Sequence, residues 1–470
     1  MAVLSVLLCR TAGPRFAVWV SAGSVLVIAL ASFWYFDSHR FTSDAERLRR
    51  LQNASLQDNR RGQDESADWP QWRGPARDGI ALGPELRTDW PAEGPPVLWR
   101  ATAGDGYSGL SVANGRVFTQ FQYSDDEEAV SCWNADTGSQ LWCFHYPCPP
   151  LIIDHGSGPR ATPTVDHDLV FCLGAASDLY CLNAADGKKV WHHNLADEFS
   201  GPAPHNRKLP MWGAACSPLV EGDRVFIATC GTQTAVAAFE KRTGDVIWKA
   251  LDDPPSYSSP IAATIDGTRQ IIFFTGRGLV GLTPDDGTVL WRYPWETNDN
   301  CNVATPIALG NYVFISSGYD RGCALLEIHR TGSEWSADPV YEHRSMRNHF
   351  STCVLYKDHL YGFDNATLTC MAFRTGEIRW RHSGLGKGSL LIAGAHLVIL
   401  GESRRLVVAA ADPDKYREES ACDVPFLSNP PQRYTNRCWA LPALAGGRLY
   451  LRDQLQILCL DLMTEHSKER

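Results

Sequence analysis

A Gly–Trp motif recurs along the chain in the manner of a repeat architecture. In each copy an apolar pair leads into a turn that ends in Gly, and Trp follows four residues later. Gly in a hairpin turn adopts a positive φ without steric cost, and we expect the Trp on the outgoing strand to pack between adjacent sheets. A degenerate copy has Trp335 only three residues after Gly332. The complete copies span residues 132–142, 181–191, 238–248, 281–291 and 370–380.

A second pattern lies upstream of each motif: a small residue, an apolar strand, a Gly/Asp turn and another apolar strand. It occurs eight times between residues 108 and 453. The span 97–462 therefore allots roughly 46 residues to each copy, the length of a four-stranded propeller blade. The last copy supplies three strands, and an additional strand, Val97–Arg100, precedes the first copy. We therefore predict an all-β fold, an eight-bladed propeller of four-stranded antiparallel blades in which Val97–Arg100 completes the eighth blade.

The N-terminal region has the pattern of a membrane segment. Residues 16–36 carry no charge, and a helix of that length crosses a bilayer. The Ala-Leu-Ala triplet at 29–31 is typical of a signal-peptidase site, but apolar residues continue beyond it, which favours an uncleaved signal-anchor. We predict three regions: a signal-anchor with one transmembrane helix within 1–36, a polar stalk over 37–68 and the propeller over 69–470.

Charge and cysteine usage exclude several classes of protein. The 44 basic and 53 acidic residues give a net charge of −9, which argues against a nucleic-acid-binding surface. No C-x-x-C occurs among the 15 cysteines, so zinc ribbons, thioredoxin-type centres and attached c-type haem lack support. Two spacings suit hairpin cross-links, Cys216 with Cys230 and Cys172 with Cys181. The alternative is that these residues are small buried apolar side chains in strands.

The repeats resemble pyrroloquinoline-quinone-type (PQQ-like) propeller repeats of the form A-x-D/T-G-x-x-x-W over most of the chain. The segments Trp69–Gly79 and Pro95–Arg100 resemble the lead-in of bacterial exported or anchored propellers of the quinoprotein-like or BamB-like type. The resemblance implies an eight-bladed propeller. It leaves function open, because the repeat occurs both in quinone-dependent dehydrogenases and in non-enzymatic scaffold proteins.

The dehydrogenases of this family hold their quinone over a disulfide between adjacent cysteines, with a Ca²⁺ bound by carboxylate and amide groups and an Asp base. This sequence contains no Cys-Cys pair, and we expect loop carboxylates such as Asp105 to be solvated. We therefore predict neither catalytic residues nor a metal site, and favour a scaffold that binds protein or ligand. The alternative is an alcohol or sugar dehydrogenase with an atypical site, using pyrroloquinoline quinone and Ca²⁺.

Residues just before the innermost strand of each blade converge on the propeller axis and are the candidate binding residues. Their aromatic and cationic side chains suit an anionic planar ligand or a peptide loop, through stacking and charge-assisted hydrogen bonds. The alternative is that they cap strands and hold water in the channel. The candidates are Tyr107, Arg160, Trp212, Tyr257, Asn302, Asn348, Lys387 and Arg437.

The resemblance also implies a location and partners. Together with the apolar segment and the net charge, it predicts a monomeric, single-pass inner-membrane protein whose propeller faces the periplasm and binds other envelope proteins or a small anionic ligand, with no role for nucleic acid. The flanking arginines indicate the opposite topology. Four arginines between residues 40 and 50 outnumber the two at 10 and 15, and the positive-inside rule then favours a cytoplasmic propeller. We expect export, on the resemblance.

Overall fold

The structure of the chain is a computed structural model. The predicted transmembrane segment and residues 37–67 of the predicted stalk lie outside its described residues. Within the described part of the chain, no helix is both long and apolar enough to cross a membrane. The described residues, all within the compact unit Asp58–Arg470, are 68–148, 156–199, 211–231, 234–426 and 438–464.

The described residues form eight sheets, each built on four antiparallel strands, and this confirms the predicted eight-bladed propeller. The middle strands of a blade pack on both faces, because each sheet is sandwiched between two neighbours. Their sequences are accordingly continuous apolar runs: Leu169–Leu173 and Gly278–Leu282 are buried throughout. The outermost strands alternate between buried and exposed positions, as in Val289–Pro294, because successive side chains of a strand point to opposite faces of the sheet.

Each blade runs from an innermost strand at the axis to an outermost strand at the rim. Blade 1 comprises Ser111–Ala113, Arg116–Gln122, Glu127–Asn134 and Gln140–Pro147. Blade 2 comprises Thr164–Asp166, Leu169–Leu173, Asp178–Asn183 and Lys189–Asn194. Blade 3 comprises Leu219–Glu221, Arg224–Gly231, Thr234–Glu240 and Val246–Ala250. Blade 4 comprises Ile261–Ile265, Thr268–Thr275, Gly278–Leu282 and Val289–Pro294.

The remaining blades follow the same order. Blade 5 comprises Ile307–Leu309, Tyr312–Ser317, Gly322–Thr331 and Glu334–His343. Blade 6 comprises Val354–Tyr356, His359–Asp364, Thr367–Ala372 and Ile378–His382. Blade 7 comprises Gly388–Ala393, His396–Gly401, Arg405–Ala410 and Glu418–Asp423. Blade 8 comprises Ala443–Ala445, Arg448–Arg452, Gln456–Asp461 and, from the N-terminal side of the chain, Val97–Thr102.

The N-terminal strand closes the ring as predicted. Val97–Thr102 pairs antiparallel with Gln456–Asp461 and forms the outermost strand of blade 8. A fifth strand was not predicted: Ile80–Ala81 adds to blade 7 and runs parallel to its innermost strand. Helical structure between the described strands comprises the short helix Leu195–Phe199 and the 3₁₀ turn Asn298–Asn300.

The Gly–Trp motif joins neighbouring blades. Trp142 of blade 1 donates its indole N–H to the carbonyl oxygen of Ala184 in blade 2, at 3.1 Å. Its ring lies against the turn at Gly187, where φ is +72° and a Cβ would lie 2.6 Å from the indole. The packing of Trp between sheets is therefore confirmed, and glycine is required both by φ and by space. Equivalent indole–carbonyl bonds are Trp99–Ala135, Trp191–Lys241, Trp248–Pro284 and Trp380–Asp412.

Blade 5 departs from the motif. Trp335 lies near the start of the outermost strand, just after the hairpin turn, with the guanidinium of Arg330 5.7 Å from its ring centre. The contact to blade 6 is made by Tyr341, whose hydroxyl donates to the carbonyl oxygen of Phe373 at 2.7 Å. The degenerate copy at 328–335 therefore predicted the hairpin but not the docking residue.

Cys172 and Cys181 are both reduced. Cys181 lies opposite Phe171 in the strand register, and Cys172 lies opposite Tyr180. The two thiols therefore point to opposite faces of the sheet, where each packs as a small apolar side chain. The second pair suggested by spacing joins Cys216 to Cys230. The side chain of Cys230 lies outside the described residues.

Candidate functional site

Hydroxyl groups link the starts of the innermost strands. The backbone N–H of Thr162 donates to Ser217 Oγ, and the N–H of Ser217 donates to Ser259 Oγ, each at 2.9 Å. The N–H of Thr305 donates to Thr352 Oγ1 at 2.9 Å. These residues occupy the small-residue position of the second repeat pattern. Each of these bonds ties the start of one innermost strand to that of the next blade.

The segment 69–81 crosses the central channel at the level of the innermost strands. At one end, Trp69 forms a bridge with Val112 of blade 1 and is 1% exposed. At the other end, Ile80–Ala81 pairs with the innermost strand of blade 7, Gly388–Ala393. We call this segment the plug, because it closes the channel between these two attachments.

Two buried arginines fasten the plug to the blades. Arg73 donates to the carbonyl oxygens of residues 352–353 in blade 6, at 3.1 and 2.9 Å. Arg77 donates to the carbonyl oxygens of residues 217–218 in blade 3, at 3.0 and 2.9 Å. Burial lowers the pKa of each guanidinium to about 10, so both are charged at neutral pH.

A pocket of about 520 Å³ lies on the axis where the innermost strands begin. Trp72 of the plug forms part of its lining and donates its indole N–H to Thr305 Oγ1 at 2.8 Å. The plug therefore provides the closed end of the pocket. The blades supply the other lining residues: Tyr107, Arg160, Trp212, Ala215, Ser217, Tyr257, Ser259, Cys301, Val303, Tyr319, His349, Phe350, Lys387 and Trp439.

Aromatic rings form a continuous arc around the pocket. Trp439 stacks on Phe350 with ring centres 4.7 Å apart and lies 5.6 Å from Tyr107. His349 continues the arc to Tyr319, at 5.1 Å. Across the axis, Trp212 and Tyr257 form a second pair at 5.6 Å. Rings at these separations offer both faces and edges to a flat or apolar group.

Among the described residues that line the pocket, the charged side chains are basic. Arg160 donates to the carbonyl oxygens of Gly156, at 2.8 Å, and Gly158, and its guanidinium lies 5.6 Å from the Tyr107 ring centre. Burial lowers the pKa of Arg160. Lys387 comes from blade 7, on the other side of Trp439 in ring order. An anion entering the pocket therefore meets cations from two separate blades.

Asp105 corrects one expectation. The sequence suggested a solvated loop carboxylate, but the residue is only 8% exposed, because the loop that carries Arg160 packs over it. Its Oδ1 accepts the N–H of Gly106 at 2.8 Å. Burial raises the pKa of Asp105, an effect that the nearby Arg452 and Arg160 partly offset.

The predicted candidates fall into three groups. Two are buried in the wall and hold loops: Asn302 donates to the carbonyl oxygen of Thr275 at 2.8 Å, and Asn348 donates to that of Phe363 at 3.0 Å. Arg437 lies outside the described residues. The five that line the pocket are Tyr107, Arg160, Trp212, Tyr257 and Lys387.

Sequence reasoning missed several lining residues. Three of them lie within two residues of a predicted candidate in the sequence: His349, Phe350 and Trp439. Including the two residues after each candidate would therefore have identified them. Tyr319 follows the second strand of blade 5, whereas the sequence pattern predicts axial residues only before the innermost strands. Trp72 comes from the plug, and no repeat pattern places that segment on the axis.

The lining residues fit only part of a quinone site. The aromatic rings and two cations suit a planar anion such as pyrroloquinoline quinone. Calcium requires several oxygen ligands, usually carboxylates, and none of the described lining residues is Asp or Glu. The described residues also contain no cluster of three or more His, Cys, Asp or Glu side chains that could hold a metal. The Ca²⁺ arrangement implied by the dehydrogenase alternative therefore does not fit the described lining residues.

Comparison with known sequences relates the chain to two groups of propellers. Outer membrane protein assembly factor BamB of Shewanella oneidensis is 22% identical over 258 residues, covering 53% of this chain and 62% of that protein. Quinoprotein ethanol dehydrogenase of Pseudomonas aeruginosa is 29% identical over 215 residues, covering 42% of this chain and 32% of that enzyme. The chain thus spans less than two thirds of the length of these curated relatives.

Solved structures show the same fold. Quinohemoprotein alcohol dehydrogenase from Comamonas testosteroni superposes with a TM-score of 0.59 at 13% identity, covering 90% of this chain and 85% of that one. BamB from Moraxella catarrhalis gives a TM-score of 0.52 at 14% identity, covering 79% and 98%. The sequence profile of the family described as outer membrane protein assembly factor BamB matches residues 126–382, which is more than half of the chain. The chain therefore belongs to that BamB family of PQQ-like propellers.

Proposed function

We propose that this protein is a non-catalytic binding scaffold that engages protein partners through its axial pocket. In this proposal residues 16–36 anchor it in the inner membrane as a single-pass signal-anchor, and the propeller faces the extracytoplasmic side as a monomer. The partners would be other envelope proteins, consistent with a relative named as an outer membrane protein assembly factor. A small anionic ligand would use the same pocket.

The observation that carries the proposal is the composition of the pocket. Its lining combines an arc of aromatic rings with two cations, which are groups that bind by stacking and charge-assisted hydrogen bonds. Aromatic residues and Arg are also the side chains most enriched where proteins bind tightly to one another. The rigid ring of blades holds these groups at fixed separations, so little ordering is needed on binding.

The reactive groups in the pocket are poorly suited to nucleophilic catalysis. Burial raises the pKa of the Cys301 thiol to about 11, so the thiol is protonated at neutral pH. Burial likewise raises the pKa of Tyr257 and of Tyr319 above the ordinary tyrosine value. None of these three groups is therefore activated as a nucleophile by a lowered pKa.

Photo-crosslinking tests the proposal directly. A photoreactive residue replaces Tyr319, which lines the pocket and is 40% exposed, in the full-length protein expressed in membranes. We expect a crosslink to a discrete envelope protein. The matched control replaces Tyr123, which is 53% exposed and lies outside the pocket lining, and should give no such crosslink. Equal labelling from both positions would contradict pocket-specific binding.

Titration of the same full-length protein with pyrroloquinoline quinone and Ca²⁺ tests the dehydrogenase alternative. We expect no Ca²⁺-dependent saturable binding by calorimetry, because the described lining offers no carboxylate ligand. Micromolar binding together with dye-linked oxidation of an alcohol would instead establish a quinoprotein dehydrogenase.

Fusion of a compartment-sensitive reporter to the C-terminus tests the proposed topology. Activity only on the extracytoplasmic side is the expected result.

A further inference from the structure

We propose that the axial pocket receives the C-terminal end of a partner polypeptide, namely a free carboxylate next to an aromatic or large apolar side chain. The inference rests on the proposed function, because it specifies which part of a protein partner enters the pocket. Three properties of the site carry it: a closed end, positively charged side chains in the described lining and an aromatic wall.

The closed end restricts what a polypeptide can insert. Trp72 and the plug close the channel below the pocket, with Trp69 bonded to blade 1 and Ile80–Ala81 to blade 7. A chain therefore cannot pass through, and must either end inside or turn back. A volume of about 520 Å³ matches a drug-sized ligand, and hence a few residues. A chain end fills it with one strand, whereas a loop brings two strands whose backbone groups need partners.

The charged side chains among the described lining residues of the pocket are positive, although the whole chain carries a charge of −9. Arg160 and Lys387 line the pocket, and buried Arg73 and Arg77 lie in the plug beside it. Arg452 is also buried, donates to the carbonyl oxygens of Gly104 and Gln120, and has its pKa lowered by burial to about 10. Buried Asp105 lies near Arg160 and Arg452 and offsets part of their charge. The cations that line the pocket itself, Arg160 and Lys387, come from separate blades and favour an anionic occupant.

Arg160 is the group best placed to hold a carboxylate. A guanidinium has five N–H donors, and the bonds to Gly156 and Gly158 leave others for a ligand. Guanidinium and carboxylate match in a planar, two-bond geometry that a C-terminal carboxylate can adopt. The ring of Tyr107, whose centre lies 5.6 Å from the guanidinium, and the ring of Trp439 then form the surface against which the last side chain packs.

The test is an array of short peptides that share one linker and present every C-terminal dipeptide, each as a free acid and as an amide. The probe is the full-length protein in detergent. We expect binding to acids that end in aromatic or large apolar residues, and a loss of about tenfold or more on amidation, because a charge-assisted pair is removed. Equal binding of acids and amides would overturn the inference.

Variants assign the effect to the pocket. Arg160→Gln and, separately, Lys387→Gln should each weaken binding of the free acids while leaving the amides unchanged. Two variants are used because Arg160 also holds its own loop. The matched control is Arg242→Gln, at an exposed ion pair with Asp168 on the rim, and should bind like the parent protein. Unchanged acid preference in both pocket variants would contradict the assignment.

The outcome is separable from the proposed function. If no peptide binds in either form, the chain-end inference fails, and a crosslink from position 319 still supports protein binding through the pocket. If the free acids of small aromatic compounds bind and peptides do not, the inference also fails, and the same cations serve a small-molecule anion. If neither peptides nor crosslinks appear, both proposals fail.

Discussion

At the scale of single residues, the plug arginines show how charge is used inside this protein. Arg73 is 1% exposed and donates to four backbone carbonyls, those of Arg77, Asp78, Thr352 and Cys353. One side chain therefore satisfies acceptors both within the plug and in blade 6. Repeat patterns in the sequence do not reveal this role, because the motif at 69–79 lies outside the repeats and its partners are distant in the chain.

We predict that Arg73→Met destabilises the protein by about 3 kcal/mol or more, because buried carbonyl oxygens lose charged donors. The measurement is the urea dependence of unfolding, followed by far-UV circular dichroism. Arg242→Met provides the control, since Arg242 and its partner Asp168 are both more than half exposed. Its expected cost is below about 1 kcal/mol. Equal costs for the two variants would show that Arg73 does not fasten the plug.

At the scale of the element, the turn of one blade and the tryptophan of the preceding blade form a repeated joint. This joint was predictable from sequence, because both partners belong to the repeat: the positive φ requires Gly and the gap between sheets requires a large flat side chain. Blade 5 was not predictable in the same way. Tyr341 replaces the tryptophan on a longer hairpin, so the motif spacing identifies the wrong residue.

The joint predicts a difference between two glycine substitutions. Gly187→Ala places a Cβ 2.6 Å from Trp142 at a φ of +72°, whereas Gly222→Ala has a φ of +61° and no heavy atom within 4 Å. Both variants carry the conformational cost of about 1–2 kcal/mol, and Gly187→Ala adds an overpacking cost of about 1–3 kcal/mol. Thermal and urea unfolding of both variants measure the difference. Similar free energies of unfolding for the two variants would mean that the Trp142 ring moves away from the new Cβ with little loss of stability.

At the scale of the whole molecule, the sequence predicted the ring of blades but only part of the candidate site. Five candidates line the pocket because each blade delivers the residue before its innermost strand to the axis. Asn302 and Asn348 fulfil the same positional rule, yet their amides turn into the wall to satisfy backbone carbonyls. The rule predicts where a residue lies along the strand, whereas the direction of its side chain depends on partners brought in by other segments, including the plug.

Ring closure yields the last prediction. Blade 8 is completed by Val97–Thr102, and Trp99 on that strand donates its indole N–H to the carbonyl oxygen of Ala135 in blade 1, at 2.8 Å. Trp99→Ala therefore opens the joint at which the two ends of the propeller meet. We expect a loss of about 3–5 kcal/mol, the usual cost of removing a buried tryptophan.

The matched control for closure is Trp335→Ala, on the outer hairpin of blade 5, where Tyr341 forms the joint. Its expected cost is about 1 kcal/mol, because Trp335 is only partly buried. Native-state hydrogen exchange distinguishes local loosening from loss of closure. In Trp99→Ala, amides of blades 8 and 1 should lose protection ahead of those of blades 4 and 5. Uniform loss across all blades would instead mean that the ring unfolds as one unit whichever joint is weakened.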